Sequence, residues 1–155
     1  DEGLRYPWAS LCVNAFWLPL VSERLAGTPV LACAVVGFPL GATSTASKVA
    51  ETTWCCRCGA REIDMVLNLG ALRGGEFATV QEDIAAVVKA AADEGATVKV
   101  ILETHLLSEV QKLAACWLAQ AAGAQFVKTS TGFSGGGATV ADITLMRRAV
   151  GPDMG

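Results

Sequence analysis

Charge is scarce in this chain. Only 17% of its 155 residues are charged, and the 12 basic residues fall short of the 15 acidic ones, giving a net charge of -3. A nucleic acid or an anionic membrane surface needs a basic footprint, so neither is expected as a partner. No apolar run reaches the roughly 18–20 residues of a membrane span. The N-terminal Asp1-Glu2-Gly3-Leu4-Arg5 lacks the basic-then-apolar order of a secretory signal. Histidine occurs once, at His105. Six cysteines without an even framework of loops read as reduced thiols, which places the chain in the cytoplasm.

What is abundant is apolar. Hydrophobic residues make up 52% of the chain and the mean hydropathy is +0.43, enough to bury a large core. The length suits one domain, residues 1–155, or a piece of a larger one. Four short runs rich in Val, Ile, Leu and Met read as strands buried on both faces: Val30–Val36, Glu62–Leu67, Thr97–Leu102 and Gln125–Thr129. A weaker fifth, Ser10–Asn14, precedes them. Between the runs lie amphipathic stretches of helical length. One carries a stripe of Val80, Ile84, Val87, Val88 and Ala91, another a stripe of Val110, Leu113, Ala114, Trp117, Leu118 and Ala121.

Helix starts are marked by Thr79 with Glu82, Ser108 with Gln111 and Thr139 with Asp142. Helix ends repeat a Gly-Ala signature at Gly59-Ala60, Gly95-Ala96 and Gly123-Ala124, each just before a strand, where Gly supplies a left-handed closing residue. The repeat has the size of a βαβ unit, about 30 residues. Alternating βα units imply a parallel sheet covered by helices. Both a doubly wound sheet and a (β/α)8 barrel satisfy that pattern. Five strands are too few to close the barrel, which typically takes about 250 residues.

Three charges sit inside the apolar runs: Asp64, Lys99 and Lys128. An unpaired buried charge costs several kcal/mol, so each must be paired or change its protonation. Strand alternation sets Asp64 opposite Ile63 and Met65, Lys99 opposite Val98 and Val100, and Lys128 opposite Val127 and Thr129. If the strands are neighbours, one carboxylate and two ammonium groups converge. That cluster is either a structural ion-pair network or a lysine kept nucleophilic by desolvation and a second cation. Lys48, Lys89 and Lys112 fall on predicted helices and are expected in solvent. Lys128 is the better nucleophile of the interior pair. Thr129, Ser130, Thr131 and Gly132 follow it directly, then Gly135-Gly136-Gly137, whose hydroxyls and unhindered N–H groups suit a phosphate or a carbonyl oxygen.

Five segments resemble the deoxyribose-phosphate aldolase family: Cys12-Val-Asn, Val35-Val-Gly-Phe-Pro-Leu-Gly, Glu62-Ile-Asp-Met-Val-Leu-Asn, Val98-Lys-Val-Ile-Leu-Glu-Thr and Phe126-Val-Lys-Thr-Ser-Thr-Gly-Phe. They follow the family's order over nearly the whole chain. The resemblance implies a parallel (β/α)8 TIM barrel, incomplete here at about five βα units. It also implies a class I aldolase without metal or other cofactor, which cleaves 2-deoxy-D-ribose 5-phosphate to acetaldehyde and glyceraldehyde 3-phosphate. Carried over, Lys128 matches the Schiff-base lysine, Asp64 the aspartate that shuttles protons, and Lys99 a lysine lining the same pocket. Cys12, Thr129, Thr131 and Gly132 are the matching substrate-binding candidates, with Gly132 near the phosphate. The partners implied are the sugar phosphate and the aldehyde, with a homo-oligomer as a further expectation.

There are departures. The family's second lysine, in a Lys-x-x-Gly-Gly stretch, is expected just beyond Gly155, and the chain is expected to lack the first and the last two strands. His105 stands where the family has Gly, which raises the expectation of an altered loop, since His tolerates φ > 0 poorly. Trp54-Cys-Cys-Arg-Cys58 contains a Cys-x-x-Cys spacing, but no second pair follows, so small side chains packed on a helix are the expected reading and a zinc or redox site is not. Arg61 stands where the family usually has an acid. The alternative function is an inactive half-barrel that acts only as a structural or self-associating module through its open sheet edges.

Overall fold

The structure is a computed structural model that describes Gly3 and residues 5–155. Asp1, Glu2 and Leu4, part of the N-terminal stretch without a signal pattern, lie outside the described residues. In chain order the elements begin with β1 (Ser10–Val13), a 3-10 turn (Ala15–Trp17), α1 (Leu18–Leu25), β2 (Leu31–Val36) and α2 (Thr45–Arg57). Then come β3 (Glu62–Val66), α3 (Leu69–Gly74), α4 (Phe77–Asp93) and β4 (Thr97–Ile101). A second 3-10 turn (Thr104–Leu106), α5 (Glu109–Ala121), β5 (Phe126–Lys128) and α6 (Val140–Val150) complete the series.

The five strands form one sheet in the order β1-β2-β3-β4-β5, every neighbour parallel. That order settles the choice left by alternation. A doubly wound sheet reverses direction at a switch point, as in the order 3-2-1-4-5-6, whereas a barrel adds each new strand to the same side. The fold is therefore an incomplete TIM barrel. At the β5 side, Gly155 pairs with the strand: its N–H donates to Gln125 at 3.0 Å and its carbonyl accepts from Val127 at 3.1 Å.

Period-two alternation separates the sheet's faces. Ala32, Ala34, Val36, Ile63, Met65, Val98 and Val100 pack outward into the core beneath the helices. The opposite residues, Cys33, Val35, Asp64, Val66, Lys99 and Ile101, face the barrel interior. Helix α4 meets the core with Val80, Ile84, Val87 and Ala91 as expected. Helix α5 does so with Ala115, Cys116 and Ala119, while Val110 and Trp117 of the expected stripe are exposed. The small residues win because they let the helix lie close to the sheet, which turns the larger ones outward.

The Gly-Ala repeat is a helix-stop device. Gly59, Gly95 and Gly123 all have positive φ, and the alanine after each donates back into its helix: Ala60 to Cys55, Ala96 to Ala91, Ala124 to Ala119. This bonding of the second residue beyond the helix end satisfies its last carbonyls and turns the buried alanine toward the next strand. Ser108 and Gln111 form a reciprocal capping box, and Thr139 accepts from the Asp142 N–H. Thr79 does not cap. Helix α4 starts earlier, at Phe77, because left-handed Gly75 ends α3 and leaves only Glu76 between them.

Two lysines depart from the solvated reading. Lys48 is fully buried, its ammonium 2.5 Å from Asp83 and 3.0 Å from the Val66 carbonyl. Thr45 also donates to Asp83, at 2.7 Å. The pair bridges α2 and α4 over the end of β3, where the Lys48 stem packs against Gly37. Lys112 is largely buried and pairs with Asp142 at 2.5 Å. Its ammonium, foremost, holds the Asp142 carboxyl below the usual carboxylate range. Lys89 is exposed, as expected. In the Trp54–Cys58 run, Cys55 and Cys56 are buried on α2, Trp54 is exposed and Cys58 caps the helix end. Burial pushes the Cys55 thiol up to about 12.

Candidate active site

The strands converge polar side chains on the interior: Cys12 from β1, Cys33 from β2, Asp64 from β3, Lys99 from β4 and Lys128 from β5. In the β3–β4 ladder Asp64 is opposite Lys99, and in the β4–β5 ladder Ile101 is opposite Lys128, which sets Lys128 nearer the C-terminal ends. Asp64 stands at the centre. One oxygen accepts from Lys128 at 2.6 Å and the other from Lys99 at 3.1 Å. The thiols of Cys12 and Cys33 approach the same two oxygens, at 3.7 and 3.3 Å. The expected convergence of one carboxylate and two ammonium groups is thus present.

Glu62, at the start of β3, is a fourth charge that the sequence reading did not assign. It is in direct ion-pair contact with Lys99. Burial works to lower the Lys99 pKa, but the hydrogen bond it donates to Glu62 and the charge of Asp64 outweigh it and hold the ammonium more firmly than usual. Burial likewise works to raise Asp64, yet the hydrogen bond and charge of Lys128, with Lys99 behind them, keep it below the usual carboxylate range. The two interior lysines are therefore unequal. Lys99 is clamped by two carboxylates and 19% exposed; Lys128 shares one carboxylate and is 40% exposed.

Lys128 borders a cavity of about 310 Å³ lined by Cys12, Val13, Asn14, Val35, Phe38, Thr131 and Phe133. A wider groove of about 430 Å³ runs between α2 and α4 on the outer surface, but the interior charges do not reach it. Of the expected substrate contacts, Cys12 and Thr131 line the cavity. Thr129 is buried, and its carbonyl accepts from the Thr104 N–H at 2.9 Å. Gly132 turns the chain after Thr131 at φ 84°, a conformation that glycine adopts without strain. Neither of these two lines the cavity.

The loop after β5 is held by Glu103, which the sequence reading left without a role. Glu103 is wholly buried at the end of β4 and accepts from the Thr131 N–H at 3.3 Å, the Thr131 hydroxyl at 2.5 Å and the Ser134 hydroxyl at 3.0 Å. Its φ of 56° makes it a left-handed residue in the short connection from β4 to the 3-10 turn. His105 does not have to adopt φ > 0, contrary to expectation; it lies in the 3-10 turn two residues later. Its ring packs on Gly136 so closely that a Cβ there would collide with it. The signal for Glu103 was a charge closing an apolar run. At the start of α6 the N-terminal position is taken by Asp142 itself, through Thr139 and Lys112.

Comparison with known proteins agrees with this geometry. A DeoC/LacD family aldolase model matches residues 11–152. Deoxyribose-phosphate aldolases from Streptococcus pneumoniae serotype 19F (strain G54) and from the strain ATCC 700669 are each 56% identical to the chain over all of its 155 residues, which span 70% of their length. Among solved structures, one described as a candidate deoxyribose-phosphate aldolase from Coccidioides immitis superposes with a TM-score of 0.92 at 40% identity, covering 96% of this chain and 58% of that one. The tetrameric deoxyribose phosphate aldolase from Aeropyrum pernix gives 0.82 at 29% identity, covering 90% and 58%. The chain thus spans less than two thirds of these structural relatives. Its strand order, its interior lysines and these matches together place it in the DeoC/LacD aldolase family.

Proposed function

We propose that this chain carries the imine-forming centre of a class I aldolase that cleaves 2-deoxy-D-ribose 5-phosphate to acetaldehyde and glyceraldehyde 3-phosphate. The observation that carries the proposal is the inequality of the interior lysines. A Schiff base needs an amine that can give up its proton and reach a carbonyl. Lys99 is held charged by Glu62 and Asp64, while Lys128 pairs, among the described residues, with Asp64 alone and opens onto the cavity.

In this reading the Lys128 amine adds to the aldehyde carbon of the open-chain sugar, and loss of water leaves a protonated imine. The carbon–carbon bond then breaks as the neighbouring hydroxyl gives up its proton, and the electron pair moves into the imine to form an enamine. Protonation and hydrolysis release acetaldehyde. Asp64, 2.6 Å from the Lys128 Nζ, stabilises the cationic imine and passes protons between Nζ and water. Lys99 keeps a fixed positive charge beside them. Because the imine is itself the electron sink, the steps call on no metal or cofactor. Cys12 and Thr131 shape the cavity wall, and Thr129 and Gly132 set the path of the loop that meets the phosphate. Residues 1–155 act in this as part of one barrel domain, with free cysteines that suit the cytoplasm.

Acetaldehyde with borohydride tests the reading. A two-carbon adduct should be fixed on Lys128, and Lys128→Ala should abolish it. No adduct, or adducts only on exposed Lys89, would overturn the assignment.

A second reading, a self-associating module without chemistry, draws on the exposed apolar side chains Tyr6, Trp8, Phe16, Trp17 and Leu20 around β1 and α1. Light scattering reads the assembly directly. An oligomer that forms no imine would favour this second reading over the first.

A further inference from the structure

We propose that Cys12 and Cys33 form a dithiol switch, in which oxidation by a hydroperoxide to a disulfide reversibly shuts off the Lys128 centre. The inference rests on the reading of Lys128 as the imine-forming residue.

The pairing follows from register. Strands β1 and β2 run parallel with Cys12 directly opposite Cys33, and both side chains face the barrel interior. Neighbouring strands lie about 4.8 Å apart, within the roughly 4.4–6.8 Å between Cα atoms that a disulfide spans. The two sulfurs and an Asp64 oxygen already lie within 4.8 Å of one another. Rotation of two side chains, without movement of the sheet, brings the sulfurs together. The remaining cysteines sit on helices or at a helix end: Cys55 and Cys56 on α2, Cys58 at its end, and Cys116 on α5.

The two thiols suit different roles. Cys12 is exposed and lines the same cavity as Lys128, so a small peroxide reaches it by the route an aldehyde would take. Cys33 is buried behind it. The Cys12 thiol is held below its ordinary value, first by the hydrogen bond from Cys33 and then by the Lys128 and Lys99 ammonium groups, which outweigh burial and the charge of Asp64. Cys33 is pushed up, by its hydrogen bond to Cys12 and by burial, so it keeps its proton. An exposed thiol whose pKa is lowered, beside a buried partner that keeps its proton, is the arrangement of an attacking and a resolving cysteine.

The same three atoms could be taken for a soft-metal site. Both Asp64 oxygens, however, already accept from lysine ammonium groups at 2.6 and 3.1 Å, so a cation there would meet two positive charges at contact range.

The chemistry balances. The Cys12 thiolate attacks a peroxide oxygen, the O–O bond breaks, and the departing alkoxide or hydroxide takes up a proton, leaving a sulfenic acid. The Cys33 sulfur then attacks the Cys12 sulfur. The S–S bond forms, the S–O bond breaks, and hydroxide leaves as water with the Cys33 proton. Two electrons pass from the thiols to the peroxide, and a dithiol reductant returns them. The disulfide takes the Cys33 S–H away from Asp64, leaving that carboxylate to the two lysine ammonium groups, and fixes the Cys12 sulfur against Cys33 in the wall of the cavity that Lys128 borders.

Hydrogen peroxide treatment of the intact chain, followed by non-reducing digestion and mass spectrometry, tests the switch. The expected product is a Cys12–Cys33 cross-linked peptide lighter by two hydrogens. Borohydride trapping of acetaldehyde in the same samples should fall in proportion to the cross-linked fraction and return with dithiothreitol. Cys33→Ser should halt at a Cys12 sulfenic acid that dimedone captures. A stable Cys12 sulfenic or sulfinic acid in the unaltered chain, cross-links among other cysteines, or full trapping by the cross-linked form overturns the proposal. If the reduced chain traps no imine, the Lys128 reading fails and the shut-off fails with it, while the cross-link still reads out by mass.

Discussion

Replacing Lys48 with methionine keeps the greasy stem of the side chain and deletes its charge. In the native chain that charge is wholly buried, 2.5 Å from an Asp83 that is only 4% exposed. Without it, Asp83 remains buried with the Thr45 hydroxyl at 2.7 Å as its remaining hydrogen-bond donor among the described residues. Breaking a buried pair from one side costs about 3–5 kcal/mol. The Val66 carbonyl also loses its donor at 3.0 Å, worth about 1 kcal/mol. Set against a typical stability of roughly 5–15 kcal/mol, the variant is badly weakened. At about 2–4 °C per kcal/mol for a chain of this size, a combined loss of about 4–6 kcal/mol should lower Tm by roughly 8–24 °C. Circular dichroism melts at neutral pH measure this. Adding Asp83→Leu removes the orphaned carboxylate, and the double variant should regain most of the loss. A single variant melting within about 2 °C of the unaltered chain, or a double variant below the single one, would falsify the claim that this buried pair holds α2 and α4 together.

The interior cluster predicts opposite pH limits. Asp64 is held below its ordinary pKa, so its pairing stabilises fully above the usual carboxylate range, about pH 4, and fades as pH falls through its lower folded value. Lys99 is held above its ordinary pKa, so its contribution is complete below about pH 10.4 and fades as pH rises through its higher folded value. Urea melts across pH should show a shallower acid limb in Asp64→Asn; an unchanged limb refutes the assignment. Glu103→Ala leaves three donors of the loop after β5 without their acceptor and should cost about 1–3 kcal/mol, with faster amide exchange at Thr131. Glu103→Gln should recover part of that protection, and a Thr131 amide indifferent to both changes counts against the staple. Ser108→Ala breaks the capping box of α5 and should cost about 1 kcal/mol, read as a lower urea midpoint with an unchanged slope.

Much of the architecture was legible because it obeys short-range rules. Apolar runs of strand length appeared where expected, and the Gly-Ala pairs closed helices because a left-handed residue and a buried methyl are both local requirements. Strand parity alone put Asp64, Lys99 and Lys128 on the inner face. What failed was reasoning about how far a helix face lies from its neighbours. Lys48 looked like an ordinary surface lysine because its partner is outside its own helix; Glu51, one turn on, accepts from the Gly37 N–H, and Asp83 lies on α4, 35 residues away. The α5 stripe held in part, with Ala114 and Leu118 packed on the core and Val110 and Trp117 exposed, because side-chain size in the interface as well as periodicity selects which face turns inward. Glu103 and Glu62 were visible as charges bounding apolar runs, but their partners lie on other elements, Thr131 on the loop after β5 and Lys99 on β4.

The amino-acid order by itself determined the succession of strands and helices, their stops, and which residues point inward, because each depends on conformations within a few neighbouring peptides. Only the tertiary structure decided that the strands add in sequence to one side, that Lys99 is clamped by two carboxylates while Lys128 shares Asp64 with it, and that Cys12 stands beside Cys33. Those outcomes depend on inter-strand register, which brings groups tens of residues apart to within a few ångströms and so sets their charges against one another.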